Sequence, residues 1–433
     1  MRLGKSLTTI WWLNMKKDAK KILLVAPLSV LSSWENEFES EKQLSVILHG
    51  SKEQRLELAM NSKARWHLVN PEGLTQSGHR RSDGKSIAVP SPICLLPWDA
   101  VVIDESTCLK NPASQLSRVC CSAFSRVKYR ACLSGLPNPE DTMDFFQQMK
   151  FLNGSMLGCD NYYEFREKHF EVDLTGYGWW PRRGTESAIR ASMEPCCEFL
   201  TRKDAGLGNE RVTQFRTVQL PAKVRKELER AEKELAVGSS ETVWPIVARS
   251  WSLQLLGGRI KDHKEFHHDA KLNEMMDLVN GELQKEQVVV WFRFTAELDA
   301  AMALLSRKGV PCGRIDGSVP RHERAVAMQK FKKRKLRVMC CQYKAAKYGI
   351  DLSTASTNIF FSMVESQEDY FQASERIESL SKSEPLLSIH LIVEDSLDED
   401  IYKSLRMKNL KSRMFLRNVR QRMLDRYKKK EKP

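Results

Sequence analysis

No run of apolar residues in this 433-residue chain reaches the ~18 needed to cross a bilayer as a helix. The apolar Trp11-Trp12-Leu13 segment near the start is too short for a signal peptide and has no cleavage site after it. Eleven cysteines are present without a single C-x-x-C pair, so no zinc ribbon or dithiol redox motif is signalled and no structural zinc is expected. Six of them form adjacent pairs, Cys120-Cys121, Cys196-Cys197 and Cys340-Cys341. In apolar runs such pairs read as buried thiols in a reducing compartment, which predicts a cytoplasmic protein that touches no membrane. Acidic residues are the scarcer charge, 55 against 69 basic, for a net charge of +14. That excess favours a polyanionic partner such as nucleic acid. A hydrophobic content of 42% is ordinary and supports two or three domains with sizeable cores.

What is present is an alternation of short apolar runs and helical stretches. Residues 6–17 read as a helix. Lys21–Pro27, Ser45–Leu48, Trp66–Asn70, Asp99–Ile103 and Arg130–Ser134 read as strands, with helices between them starting near Ser33 and over 51–60. Residues 76–92, rich in Gly, Ser and Pro, read as a surface loop. From 141 to 215 the pattern breaks into a loop-rich segment with clustered aromatics, and Trp179-Trp180 is assigned to loop packing. A helix over 222–237 places Val224, Leu228, Ala231 and Leu235 on one face. The alternation resumes from Gln287 to Val393. The fold class expected is α/β: two lobes built on parallel, doubly wound sheets, with a helical insertion between them. The expected boundaries are 1–215 for the first lobe, 216–280 for the helical bridge, 281–408 for the second lobe and 409–433 for a basic C-terminal helix. Between Lys411 and Lys432 that tail carries ten basic residues against two acidic ones. It reads either as a solvated or lobe-bracing helix, or as a brace that contacts phosphate through Lys428-Lys429-Lys430.

Two stretches carry the chemistry. Gly4-Lys5-Ser6 is the second half of a phosphate-binding loop, G-x-x-x-x-G-K-[ST]. Its first glycine and the strand that delivers the chain to it would fall before Met1, so a start upstream of Met1 is expected. Asp104-Glu105 follows the apolar strand ending Val101-Val102-Ile103 and so reaches the carboxyl edge of a sheet, where α/β proteins bind ligands. There Asp104 can hold Mg²⁺ through water and Glu105 can polarise an attacking water. The alternative for Asp104 is to cap the following helix.

The order of motifs is more specific than any one of them. Gly4-Lys5-Ser6, Val25-Ala26-Pro27 with Trp34-Glu35-Asn36-Glu37-Phe38, Asp104-Glu105-Ser106-Thr107 followed by Lys110-Asn111, and Leu133-Ser134-Gly135-Leu136-Pro137 come in turn. Gly313-Arg314-Ile315-Asp316-Gly317-Ser318, Gly349-Ile350-Asp351-Leu352-Ser353 with Ala355, and Tyr370-Phe371-Gln372-Ala373-Ser374-Glu375-Arg376 follow. This series resembles the Swi/Snf type of superfamily 2 helicase-like ATPases over residues 1 to about 408. The resemblance implies two RecA-like lobes, ATP and Mg²⁺ as cofactors, and double-stranded DNA (or another nucleic acid) held by phosphate contacts. It implies that Gly4, Lys5 and Ser6 bind the phosphates, that Ser6 and Asp104 hold the metal, and that Glu105 serves the water. Gly349 and Asp351 would line the nucleotide cleft from the second lobe. Gln372 and Arg376 would act on the γ-phosphate, and Ser134 and Gly135 would couple nucleotide state to nucleic acid. For Arg376 a surface ion pair with Glu375 or Glu378 is the alternative.

The departures from the family pattern bear on hydrolysis. Ser379 stands where the second arginine of the last motif belongs, and Ser381-Lys382 replace its usual Gly-Gln. Lys382 can match the missing charge but not the fork of a guanidinium. Ser106-Thr107 removes a histidine, and Leu136 replaces a threonine. The leading expectation is an ATP-dependent DNA translocase or helicase-like ATPase. Hydrolysis is expected if the missing start is restored and one arginine suffices. The rival is a degenerate, non-hydrolysing nucleic-acid-binding protein, or a fragment of a larger helicase. Compact size points towards a viral or mobile-element protein, with the cytoplasm of its host as the location.

Overall fold

The computed structural model describes residues 3–28, 30–76, 87–138, 140–172, 178–200, 210–346, 350–379, 382 and 384–408. Gly349, Ser381, the middle of the 76–92 loop and the basic tail from 409 lie outside the described residues. The chain divides into two compact units, before and after about residue 205.

In the first unit, β1 (Ile22–Val25), β2 (Ser45–Ile47), β3 (Trp66–Val69), β4 (Ala100–Asp104) and β5 (Tyr129–Leu133) form one parallel sheet in the order β2-β3-β1-β4-β5. β1 and β4 are apolar at nearly every position because helices cover both faces of the sheet. Their side chains alternate between two cores. Ile22, Leu24, Ala100 and Val102 pack with Ile10, Leu13, Trp34 and Phe38. Leu23, Val25, Val101 and Ile103 pack with Val119, Cys120 and Phe124 on the other face. The helices responsible are α1 (Lys5–Asn14) and α2 (Leu31–Ser40) on the first face and, on the second, α3 (Lys52–Asn61) and α4 (Gln115–Ala123). Ser51 starts α3 through a reciprocal cap with Gln54.

Residues 141–172 and 178–200 hold more regular structure than the sequence suggests. They form α5 (Phe145–Asn153), α6 (Tyr162–His169), the antiparallel pair β6 (Phe170–Val172) and β7 (Trp179–Pro181), and α7 (Thr185–Met193). Phe145, Phe146, Met149, Phe165, Phe170, Ile189 and Met193 build their own small core. The aromatic cluster that obscures helical periodicity is therefore core. Trp179 packs at its edge beneath the Arg166 guanidinium, 4.2 Å from the ring centre, whereas Trp180 is exposed.

The second unit holds a six-stranded parallel sheet. Its strands are β8 (Arg211–Thr217), β9 (Val288–Phe292), β10 (Cys312–Ile315), β11 (Val338–Gln342), β12 (Thr357–Phe360) and β13 (Leu386–Ile392), in the order β8-β13-β12-β9-β11-β10. Among the described residues its helices include α8 (Ala222–Glu234), α9 (Pro245–Leu256), α10 (Ala270–Asn280), α11 (Thr295–Arg307), α12 (Arg321–Lys332), α13 (Tyr343–Ala346) and α14 (Gln367–Glu375). Two expectations change here. Residues 211–217, assigned to the first lobe, pair with β13, and the helices expected as a bridge share one apolar core with the second sheet. The helix expected over 222–237 stops at Glu234, because Leu235 turns into the left-handed region at φ 55° and leaves the apolar face.

Candidate functional site

The phosphate-loop remnant sits at the start of α1. Gly4 adopts φ +73°, where a side chain would be strained, and turns the chain into the helix. The first intrahelical bond runs from the Thr8 amide to the Gly4 carbonyl, at 2.8 Å. The amides of Lys5, Ser6 and Leu7 thus have no acceptor within the helix and form a cradle suited to an anion. Thr9 donates its hydroxyl to the Lys5 carbonyl at 2.8 Å and fixes that first turn.

Across from it, β4 is central and buried, and it delivers Asp104 at its carboxyl end. The Lys5 ammonium lies 3.9 Å from Asp104 Oδ1 and 3.8 Å from Glu105 Oε1, although 99 residues separate Lys5 from Asp104. Lys5 is only partly covered, so the contact is modest in energy. Its meaning is positional. Glu105 has φ 50°, unusual for a residue other than glycine, and this turn swings its carboxylate out of the strand line toward Lys5.

Asp104 does not cap a helix. Its Oδ1 accepts from the Glu105 amide at 2.9 Å and its Oδ2 from the buried Trp34 indole N–H at 2.9 Å. A carboxylate offers about four lone-pair sites, so these two bonds fix its orientation and leave acceptor capacity. Ser6, half-buried in the first turn of α1, and Asp104 offer oxygen atoms, the donor type that Mg²⁺ takes.

Two residues to which sequence reasoning assigned no role complete this edge. Trp34 is one. Gln148 on α5 is the other. The Ser106 hydroxyl donates to its Oε1 at 2.8 Å, and its Nε2 donates to the Pro137 carbonyl at 2.7 Å and the Asp144 carbonyl at 3.0 Å. Gln148 thereby ties the acidic box to the Ser134-Gly135-Leu136-Pro137 turn, in which Ser134 Oγ accepts from the Leu136 amide at 3.1 Å. The available signal was a buried Gln-Gln pair among Phe145, Phe146, Met149 and Phe151. Burial pushes the neighbouring Asp144 carboxyl up to about 7.

The second unit holds the remaining described motif residues. Gln372 is buried on α14, and its amide nitrogen lies 3.4 Å from Glu368 Oε1. Arg376 closes α14, and its carbonyl accepts the Leu352 amide at 3.2 Å, which joins the last two motifs. The ion-pair alternative for Arg376 meets a competitor. Arg211 of β8 bonds Glu375 at 3.0 Å and also binds Glu378. Asp351 pairs with Lys332 of α12 at 2.8 Å and accepts from the Ser353 amide at 3.2 Å. Lys382 reaches back to its own unit. Its ammonium donates to the Ser353 and Ala355 carbonyls, at 2.9 and 2.6 Å. In the Gly313–Ser318 box, Asp316 is held below the usual carboxylate range against the cost of burial. The bonds responsible come from Ser318 and Arg314.

Comparison with known proteins gives the family. The chain is 24% identical over 93% of its length to the zebrafish (Danio rerio) "Chromodomain-helicase-DNA-binding protein 1-like", and spans 40% of that protein. It is 23% identical over 93% of its length to the Arabidopsis thaliana "ATP-dependent DNA helicase DDM1", and spans 56% of it. It is 24% identical over 92% of its length to "Putative protein p41" of Acyrthosiphon pisum secondary endosymbiont phage 1, of which it spans 89%. Among solved structures, the Sulfolobus solfataricus SWI2/SNF2 ATPase core in complex with dsDNA aligns over 98% of this chain and 88% of that one, at 18% identity and a TM-score of 0.42. The family model of the helicase conserved C-terminal domain matches residues 270–379. The SNF2-related domain matches residues 1–228, more than half of the chain, and the protein therefore belongs to the SNF2-related, Swi/Snf-type helicase-like ATPases.

Proposed function

We propose that this chain is an ATP-dependent translocase on double-stranded DNA, with ATP bound between its two lobes. The observation that carries the reading is the convergence of the Lys5 ammonium on both carboxylates at the end of β4, each within 4 Å. Lysine aimed at an Asp-Glu pair beside open helix amides is the arrangement that nucleotide phosphates require. Lys5 and the first amides of α1 would hold the β- and γ-phosphates. Ser6 and Asp104 would hold Mg²⁺, which neutralises charge developing on the phosphates. Glu105, turned out of its strand, would orient the attacking water. Gln372 and Arg376 would contribute the second lobe's contacts to the γ-phosphate. The net charge of +14 supports a phosphate track held without sequence preference. The likeness to a phage protein supports a role in a virus or mobile element; the cytoplasm of its host is the location proposed.

One observation favours the non-hydrolysing alternative. Ser379 supplies no guanidinium, and Lys382 is spent on backbone carbonyls. An arginine finger contributes ~10³–10⁵ in rate, so Arg376 alone would have to supply that effect. Triplex displacement tests the proposal. The wild-type chain is expected to strip a third strand from random-sequence duplex only with ATP and Mg²⁺. Third-strand release that ignores ATP would contradict translocation.

A further inference from the structure

The three adjacent cysteine pairs sit on three different backbones. Cys120 and Cys121 lie in α4, where successive side chains diverge by roughly 100°. Cys340 and Cys341 lie in β11 and point to opposite faces, both fully buried. Cys196 and Cys197 follow α7 in a turn, and their two amides converge on the Met193 carbonyl at 3.1 and 2.9 Å. This turn brings both side chains to one side, with the Sγ atoms 3.9 Å apart. Cys196 is exposed, contrary to the buried thiol that the sequence suggests. Its Sγ accepts from Asn153 Nδ2 at 3.6 Å, while Cys197 Sγ rests 4.0 Å from Met149 Sδ on α5.

The environments separate this pair chemically as well. Burial pushes the Cys94 thiol up to about 12 and Cys121 up to about 11. Cys196 falls to about 6, mainly because the Cys197 thiol donates to it, with Asn153 adding to the effect. Its neighbours thus favour the ionised form of the exposed sulfur, while the adjacent Cys197 thiol is pushed up.

We propose that Cys196 and Cys197 form a dithiol site for a single thiophilic trivalent centre, arsenic(III). The Cys196 thiolate attacks arsenic of an arsine oxide and forms the first As–S bond. The arsenic-bound oxygen takes up a solvent proton and the proton of Cys197, leaves as water, and the second As–S bond closes. One arsine oxide and two thiols give one dithioarsenite and one water, with no change of oxidation state. Direct disulfide closure is the poorer fit. It would pull the sulfurs to about 2.05 Å across Cα atoms about 3.8 Å apart, well below the spacing usual for disulfides. An inserted arsenic keeps the sulfurs near their present separation.

The test uses the reduced full chain and one equivalent of phenylarsine oxide, followed by native mass spectrometry. The expected result is one adduct, heavier by the arsenical less one water. It survives excess glutathione, is removed by 2,3-dimercaptopropanol, and maps to the tryptic peptide 191–202. Cys196→Ser and Cys197→Ser should each lose it. No glutathione-resistant adduct, an adduct mapped to another peptide, or one retained in either serine variant would overturn the site. Mapping on the wild-type chain decides the question even if a variant folds poorly.

Discussion

Trp34 shows how a core side chain can serve a charged one. It is fully buried under β1 and β4, and its single polar atom is spent on Asp104. Hydrogen bonds to charged groups contribute about 1.5–3 kcal/mol. Trp34→Phe keeps most of the packing and removes that bond. Asp104 should then be held less rigidly, and the Mg²⁺ concentration for half-maximal phosphate release should rise several-fold while the thermal midpoint falls only slightly. An unchanged Mg²⁺ requirement would show that Trp34 only packs. At this scale the sequence was uneven. Lys5, Asp104 and Glu105 were legible because their spacing is dictated by strand and loop geometry. Trp34 stood in a quoted motif without a role, and Gln148 was hidden, because a hydrogen bond between residues 106 and 148 leaves no local pattern. Glu297 is a second buried group that the sequence could not flag. It has no exposed surface, accepts from Ser362 Oγ at 2.7 Å, and burial pushes its carboxyl up to about 7. A carboxyl raised in the folded state favours its neutral form. Its stabilising share is complete below the unfolded value near 4.5 and is lost as pH rises towards 7. Relative to Glu297→Gln, the wild type should lose stability over that window by up to about 1.4 kcal/mol per pH unit and level off above it, in urea melts at stepped pH.

At the scale of elements, the segment over 216–280 is the instructive case. Its helical periodicity was legible, but its allegiance was not, since an amphipathic stripe does not say which sheet it covers. A buried ion pair supplies part of the answer. Lys271 on α10 and Asp398 lie 2.7 Å apart, each 1% exposed, and Asp398 also accepts from the Val393 amide. The pair anchors α10 to the segment that follows β13. Lys271→Met would leave Asp398 buried without its cation, at about 3–5 kcal/mol. Lys271→Met combined with Asp398→Leu should recover most of that loss, measured by urea unfolding. Equal destabilisation in the single and double variants would show that the pair does not act as a unit. The aromatic segment of 141–200 failed to read as helices for a different reason. Its small independent core packs hydrophobic residues on several faces at once, which masks the 3.6-residue period.

At the scale of the molecule, two parallel sheets were legible from strand–helix alternation alone, because a parallel sheet needs crossovers of that length. Both sheets carry motif residues in the turns after strands: Glu105 and Ser134 in the first, Asp316 in the second. Under the proposed function the two act as one engine, and its central claim is that Lys5, Asp104 and Glu105 make a nucleotide site whose turnover depends on DNA. Phosphate release by the full chain, with ATP and Mg²⁺ and with or without random-sequence duplex DNA, tests that most directly. The site predicts release that DNA stimulates at least about tenfold and that Lys5→Ala and Glu105→Gln each reduce by about two orders of magnitude, the scale of a lost preorganised electrostatic contact. Release no greater than that of Lys5→Ala, with or without DNA, would contradict it.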